Sequence, residues 1–125
     1  MRVMVMVRAM KNSEAGKMPS AELLAAMGKY NEELIKAGVM LGGDGLKPSS
    51  TGKRIEMTEG KRIVVDGPFT ESKELVGGYA IVDVDSDDEA LDIATKFMEL
   101  HRVHWPEFEG ESELRPFETG APGSE

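Results

Sequence analysis

Apolar and polar positions divide the chain into short extended runs and two longer stretches with helical spacing. Residues 2–8 read as a strand, with Val3, Val5 and Val7 on one face and Met4 and Met6 on the other. A strand apolar on both faces must be covered on both. Residues 9–19 show no period and read as a long loop. Ser20 then suits a helix N-cap, and Glu22 is favourable in the first turn. Leu23, Met27, Tyr30, Leu34 and Ala37 recur at spacings of four and three, which predicts a helix. Lys36 suits its last turn, and Gly38 sits where a C′ glycine belongs.

Val39-Met40-Leu41 predicts a short buried strand running into a glycine-rich turn, Gly42-Gly43-Asp44-Gly45-Leu46. Residues 53–57 and 61–65 form the clearest hairpin, with Glu59-Gly60 at its tip, where glycine supplies the positive φ of a tight turn. Residues 76–84 form a further strand, with Gly78, Ala80, Val82 and Val84 on one face and Gly77, Tyr79, Ile81 and Asp83 on the other. Ser86-Asp87-Asp88-Glu89 is a capping box, Ser at N-cap and Glu at N3. The helix it opens is expected to run to about Val103, because Pro106 pushes Trp105 out of the α region. Residues 111–117 form a last strand, with Pro116 suited to an edge. The polar segment after it, 119–125, reads as a flexible tail on a single domain spanning 1–118.

The order β-α-β-(β-β)-β-α-β predicts an α+β, ferredoxin-like antiparallel sheet with an inserted β-hairpin and both helices on one face. Helices then cover only one side of the first strand. The other side needs a second sheet, and the simplest source is a second copy of the chain related by two-fold symmetry. The expectation is therefore a homodimer packed sheet against sheet, unless the loop at 9–19 supplies the cover.

Composition narrows the function classes. A chain of 125 residues with 40% apolar content fits one globular domain. No run of about 18 apolar residues is present, so no membrane span is expected. The first residues enter a strand directly, without the h-region of a signal peptide, which predicts a cytoplasmic protein. The absence of cysteine excludes disulfides, thiolate nucleophiles and Cys-based metal sites. A net charge of −8 argues against nucleic-acid or anionic-membrane partners. Walker, Rossmann and nucleophile-elbow patterns are missing as well.

Candidate chemistry rests on a few polar residues. Asp66 ends a strand and opens the Asp66-Gly67-Pro68 turn; it is either a carboxylate aimed into a cleft or an Asx-type turn residue. Asp44, between Gly43 and Gly45, stands where backbone can approach a ligand, or is again a turn residue. His101 shares a helical stripe with Ala90, Ala94, Phe97 and Met98, and is either a general base or a hydrogen-bonded histidine closing the core stripe. His101 and His104, three apart and near Glu107, fall short of metal-site spacing, so no metal is expected. Arg8 at the rim of the first strand, Glu14 in the first loop, Tyr79 on a strand and Lys73 after the aspartate turn complete the ligand-binding candidates. Lys73 is also placed to pair with Asp66 across the turn.

The segment Asp66-Gly67-Pro68-Phe69-Thr70-Glu71-Ser72-Lys73-Glu74 resembles the motif that names the DGPF group of the YCII-related family. Further matching pieces are the early Met/Val strand, Ser13-Glu14-Ala15-Gly16, Met18-Pro19, Met40-Leu41-Gly42-Gly43-Asp44-Gly45-Leu46, Gly77-Gly78-Tyr79 and Gly110-Glu111-Ser112-Glu113-Leu114-Arg115-Pro116. The resemblance implies a dimeric α/β barrel with a cleft between sheet and helices. It implies either a cofactor-independent enzyme acting on an unknown small molecule or a non-catalytic ligand-sensing module, since DGPF proteins are often encoded beside or fused to sigma factors. The best-understood relatives of this type use a His–Asp pair with the histidine on the first helix. That helix here offers Lys29, Tyr30 and Asn31, which counts against dehydrochlorinase-type chemistry, while Asp44 stands at the acidic position of the pair.

Overall fold

The computed structural model describes residues 1–8, 19–69, 76–106 and 108–118. Its elements are β1 (Arg2–Arg8), α1 (Ala21–Lys36), β2 (Met40–Gly45), a 3-10 turn (Ser49–Thr51), β3 (Lys53–Thr58), β4 (Lys61–Asp66), β5 (Val76–Asp83), α2 (Asp87–His104) and β6 (Ser112–Pro116). Four strands form one antiparallel sheet in the order β2-β5-β1-β6, and β3 and β4 form a separate two-stranded hairpin. This is the ferredoxin-like arrangement expected from the sequence, with the hairpin inserted between β2 and β5. The proposed tail at 119–125 lies outside the described residues.

The two helices start and stop on the predicted signals. Ser20 Oγ accepts the Leu23 N–H at 3.1 Å, so it caps α1, and it also donates to the His104 carbonyl at 2.8 Å. That second bond ties the start of α1 to the end of α2. Gly38 follows α1 with φ of +74°, a left-handed C′ position. Ser86 Oγ accepts the Glu89 N–H at 3.2 Å, and the Glu89 carboxylate reaches back to the Asp85 N–H at 2.9 Å, one residue earlier than a standard capping box.

One face of the sheet carries the core. Val3, Val5, Val82 and Val84 pack against Tyr30 of α1 and Ala90, Ile93 and Ala94 of α2, with Leu34, Phe97, Leu100 and Leu114 around them. The register pairs Val3 with Val82 and Val5 with Ala80, so these side chains share the helix-facing side. Tyr30 and Phe97 meet edge to face at 4.9 Å. The opposite face pairs Met4 with Ile81, Met6 with Tyr79, Met4 with Arg115 and Met6 with Glu113. No helix covers this side among the described residues.

The structure changes one predicted boundary. The glycine-rich segment expected to be a turn continues as strand β2, pairing Gly43 with Ala80 and Asp44 with Tyr79. A Cβ on Gly43 would meet the Tyr79 carbonyl at 2.6 Å. The glycine therefore serves close backbone approach within a ladder, a role that period-two reading assigns to turns by default.

Candidate functional site

The sheet has one end where β1 and β2 finish and β5 and β6 begin. The last turn of α2 lies over this end, since Ser20 holds the His104 carbonyl and β6 starts just beyond. Most of the described polar candidates gather here, distributed over the two faces.

On the helix-facing side, register lines up Ser112, Val7, Gly78 and Gly45 across all four strands. Two of these four carry no side chain, and a Cβ on Gly45 would meet nothing within 4 Å. The row is thus a shallow recess at its Gly45 end, whereas a Cβ on Gly78 would lie 3.3 Å from the Asp44 carbonyl oxygen. Ser112 Oγ, at the other end of the row, is buried with no hydrogen-bond partner among the described residues. An unpartnered buried hydroxyl carries its desolvation cost uncompensated, so it marks either a ligand position or a local defect. A second such atom, Asn31 Oδ1, lies on α1.

His101 belongs to the same side. Its Nδ1 lies 2.7 Å from the Phe97 carbonyl oxygen, and its ring packs on Phe108 with centroids 4.6 Å apart. A carbonyl can only accept, so Nδ1 carries a proton in this contact, and the tautomer it selects is the one with its lone pair on Nε2. The hydrogen-bonded reading and the general-base reading are thus compatible, because the first fixes the tautomer the second requires. His104 is the last residue of α2, with Trp105 as its C-cap, and the Glu107 that would join it in a metal cluster lies outside the described residues. No group of three or more His, Asp or Glu poised for a metal occurs among the described residues.

Asp44, Tyr79 and Arg8 lie on the other face at this end. Asp44 and Tyr79 are register partners, and the Asp44 carboxylate accepts the N–H of its own neighbour Gly45 at 2.8 Å. Arg8 pairs with Glu113, which Arg115 also engages. Arg115's hydrogen bond, aided by the Arg8 charge, holds the Glu113 carboxyl below its ordinary value. The sheet therefore separates Asp44 from His101, and the two do not form a dyad within one chain.

Asp66 stands apart, at the root of the hairpin. It pairs with Lys53, its register partner, at 2.5 Å, and both side chains are largely exposed. The Asx turn considered for it would need an N–H two residues on, and Pro68 has none. The salt-bridge partner is Lys53; Lys73, considered for that part, lies outside the described residues, as does Glu14. The rest of the motif builds the hairpin's attachment. A Cβ on Gly67 would come 1.7 Å from the Ser49 carbonyl oxygen, and Ser49 Oγ accepts the Phe69 N–H at 3.1 Å. Arg54 lies over the Phe69 ring at 4.0 Å. A shallow pocket of about 310 Å³ opens beside it, lined in part by Leu46, Lys47, Pro48 and Phe69.

Sequence reasoning missed Ser112 and the recess. Ser112 read as an ordinary strand residue, and its row becomes visible only once register is known. Asn31 was noted only as a replacement for histidine.

Among the described residues no helix is long and apolar enough to cross a membrane. Comparison with known proteins gives three findings. The YCII-related domain family matches residues 1–98. An uncharacterised protein of Rhizobium meliloti (strain 1021) is 32% identical over 102 residues, covering 82% of this chain and 75% of that protein. Among solved structures, the 5-chloro-2-hydroxyhydroquinone dehydrochlorinase of Burkholderia phenoliruptrix AC1100, in complex with 2,5-dihydroxybenzoquinone, superposes with a TM-score of 0.53 over 96% of both chains at 15% identity. At that identity the likeness speaks for the fold alone, and it agrees with the topology above. The chain belongs to the YCII-related domain family.

Proposed function

We propose that the protein is a homodimer that binds a small hydroxylated organic molecule in the recess at the end of its sheet and moves a proton on it without a cofactor. The observation that carries this reading is the buried Ser112 hydroxyl, without a partner among the described residues, in a cross-strand row whose far end at Gly45 is open. Ser112 supplies a hydrogen bond to a ligand hydroxyl or carbonyl. His101, held by Phe97 so that Nε2 keeps its lone pair, is the group that takes the proton. Tyr79, Asp44, Arg8 and the half-buried Met4, Met6 and Ile81 on the opposite face form the contact with a second copy, which gives that apolar face its cover. Asp66 takes no catalytic part in this reading; it joins β3 to β4 at the hairpin root.

The structural neighbour's 2,5-dihydroxybenzoquinone makes a suitable first probe, because it carries both hydroxyl and carbonyl groups with which the Ser112 hydroxyl can pair. Titration calorimetry with that probe on the full chain should show binding that Ser112→Ala abolishes. Loss of an unsatisfied hydroxyl is neutral or stabilising for folding, so the melting temperature of this variant should hold or rise. His101→Gln should retain binding while any turnover falls by about 10²–10⁴-fold. If His101→Gln leaves turnover intact, His101 is not the group that takes the proton; if turnover is absent in wild type with binding retained, the protein is a ligand-sensing module of the kind its DGPF resemblance implies. If a panel of hydroxylated rings and quinones binds with equal affinity to wild type and Ser112→Ala, the recess is not the site.

A further inference from the structure

We infer that the β3–β4 hairpin is a dimerisation arm, packing its outward face against the same face of a second copy of this chain. The inference rests on the homodimer proposed above and extends it to a surface that nothing so far assigns.

The hairpin has two different faces. Register pairs Arg54 with Val65 and Glu56 with Ile63 on one, and Lys53 with Asp66, Ile55 with Val64 and Met57 with Arg62 on the other. The first face turns its root toward the body, where Arg54 covers Phe69. The second carries Ile55, Met57 and Val64 side by side at 66%, 67% and 56% exposure. None of these three belongs to the core, and among the described residues β3 and β4 pair with no other strand. An isolated two-stranded hairpin is marginal in water. Its exposed apolar face therefore suits a partner that accompanies the protein throughout, which a second copy does and a transient partner does not.

Charge points to the same occupant. Residues 53–66 hold Lys53, Arg54, Lys61 and Arg62 against Glu56, Glu59 and Asp66, a net of +1, while the whole chain is −8 and the remainder therefore −9. The arm is thus close to neutral, and two arms meet without the like-charge repulsion that the acidic body carries. The outward face is also self-complementary along its length. Arg62 lies toward the tip and the Lys53–Asp66 pair at the root, with the apolar residues between. Two arms packed antiparallel about a two-fold axis place Arg62 opposite the carboxylate of the other arm's root, and the apolar rows meet in the middle. Three side chains are too few for an interface on their own, since stable dimers bury upwards of about 1,200 Å². The arm therefore adds to the sheet-face contact.

The test is the dimer dissociation constant by analytical ultracentrifugation for wild type, Ile55→Glu/Val64→Glu, Arg62→Glu and, on the sheet face, Met6→Glu. Circular dichroism and melting curves serve as controls for folding. The arm predicts at least a tenfold weaker dimer for the double variant with an unchanged fold, and a smaller, salt-sensitive weakening for Arg62→Glu. A dimer weakened by Met6→Glu but untouched by both arm variants overturns the arm and leaves the homodimer standing. A wild type that stays monomeric at the highest concentration overturns both. Arm variants that unfold without any change in association show that the chain covers its own hairpin, and that too overturns the proposal.

Discussion

The four-stranded body and the hairpin are both built from alternating strands, yet they use their apolar residues in opposite ways. In the body, Val3 and Val82 are fully buried under the helices. In the hairpin, Ile55, Met57, Ile63 and Val64 are all more than half exposed. Period-two alternation therefore sets which residues share a face but not whether that face is covered, because cover depends on what packs above the sheet. Deletion of one apolar side chain from each region gives the largest contrast. Leu23→Ala, at a fully buried position in α1, should cost about 3 kcal/mol in urea unfolding. Ile55→Ala should cost less than about 0.5 kcal/mol when measured at a dilution that keeps the chain monomeric. Similar costs would mean that the hairpin is packed within its own chain, and the contrast would collapse.

The joint between the two regions gives the next effect. Gly67 sits where any Cβ would run into the Ser49 carbonyl, whereas Gly45 at the sheet's end faces open space. Gly67→Ala must push the hairpin root off the 3-10 turn, at about 2 kcal/mol by the scale of overpacked sites. Gly45→Ala should be close to neutral for stability. Hydrogen exchange would locate the damage: faster exchange in β3 and β4 with the body unchanged shows the joint yielding, and uniform acceleration shows that hairpin and body unfold as one.

How far the sequence revealed these regions follows from the range of the forces involved. Capping is local, so Ser20, Gly38 and Ser86 were readable from residue type and spacing. The tip Glu59-Gly60 was readable for the same reason, and both residues adopt positive φ, 51° and 77°. The extent of β2 was not, because Gly42 to Gly45 is a strand only through its ladder with β5, which lies more than thirty residues away in the chain. The site divided in the same manner. His101 was legible from its helical stripe, Tyr79 from its strand context, and Asp44 from its place between two glycines. That Asp44 and His101 lie on opposite sides of the sheet, and that Ser112 faces Gly78 and Gly45 across Val7, are consequences of register. Asp66 drew attention through its motif, but its nearest partner, Lys53, is a cross-strand neighbour that the motif does not contain.

Titration should separate the two faces of the sheet. Burial beneath α2, with Glu33 and Asp92 nearby, raises the Tyr30 hydroxyl above its ordinary value of 10.0. The folded state then holds this proton more tightly, so its contribution to stability is present below the unfolded value and is lost as the pH rises through the folded one. On the face opposite the helices, Glu113 is displaced downward by Arg115 and Arg8. Its contribution is present above the ordinary carboxylate value and disappears as the pH falls through the folded value. Tyr30→Phe should therefore flatten the alkaline limb of a stability–pH curve and spare the acid limb, and Glu113→Gln should do the reverse. If either variant moved the other's limb, the two faces would be electrostatically coupled through the sheet.

The smallest effect belongs to the residue that the sequence made most prominent. The Lys53 and Asp66 side chains are 68% and 73% exposed, and ion pairs in such positions contribute between nothing and about 1 kcal/mol. Asp66→Asn should thus change stability by less than about 0.5 kcal/mol and leave ligand binding at the recess unaltered. A carboxylate doing acid–base work would instead show a loss of about 10²–10⁴-fold in turnover with little change in stability. The double variant Lys53→Met/Asp66→Asn refines the distinction. If the aspartate serves only to pair the strands, the second substitution adds nothing to the first in stability, because the interaction is already gone. If turnover falls with Asp66→Asn and is indifferent to Lys53, the carboxylate acts on a ligand, and the chemistry belongs at the hairpin root instead of at the end of the sheet.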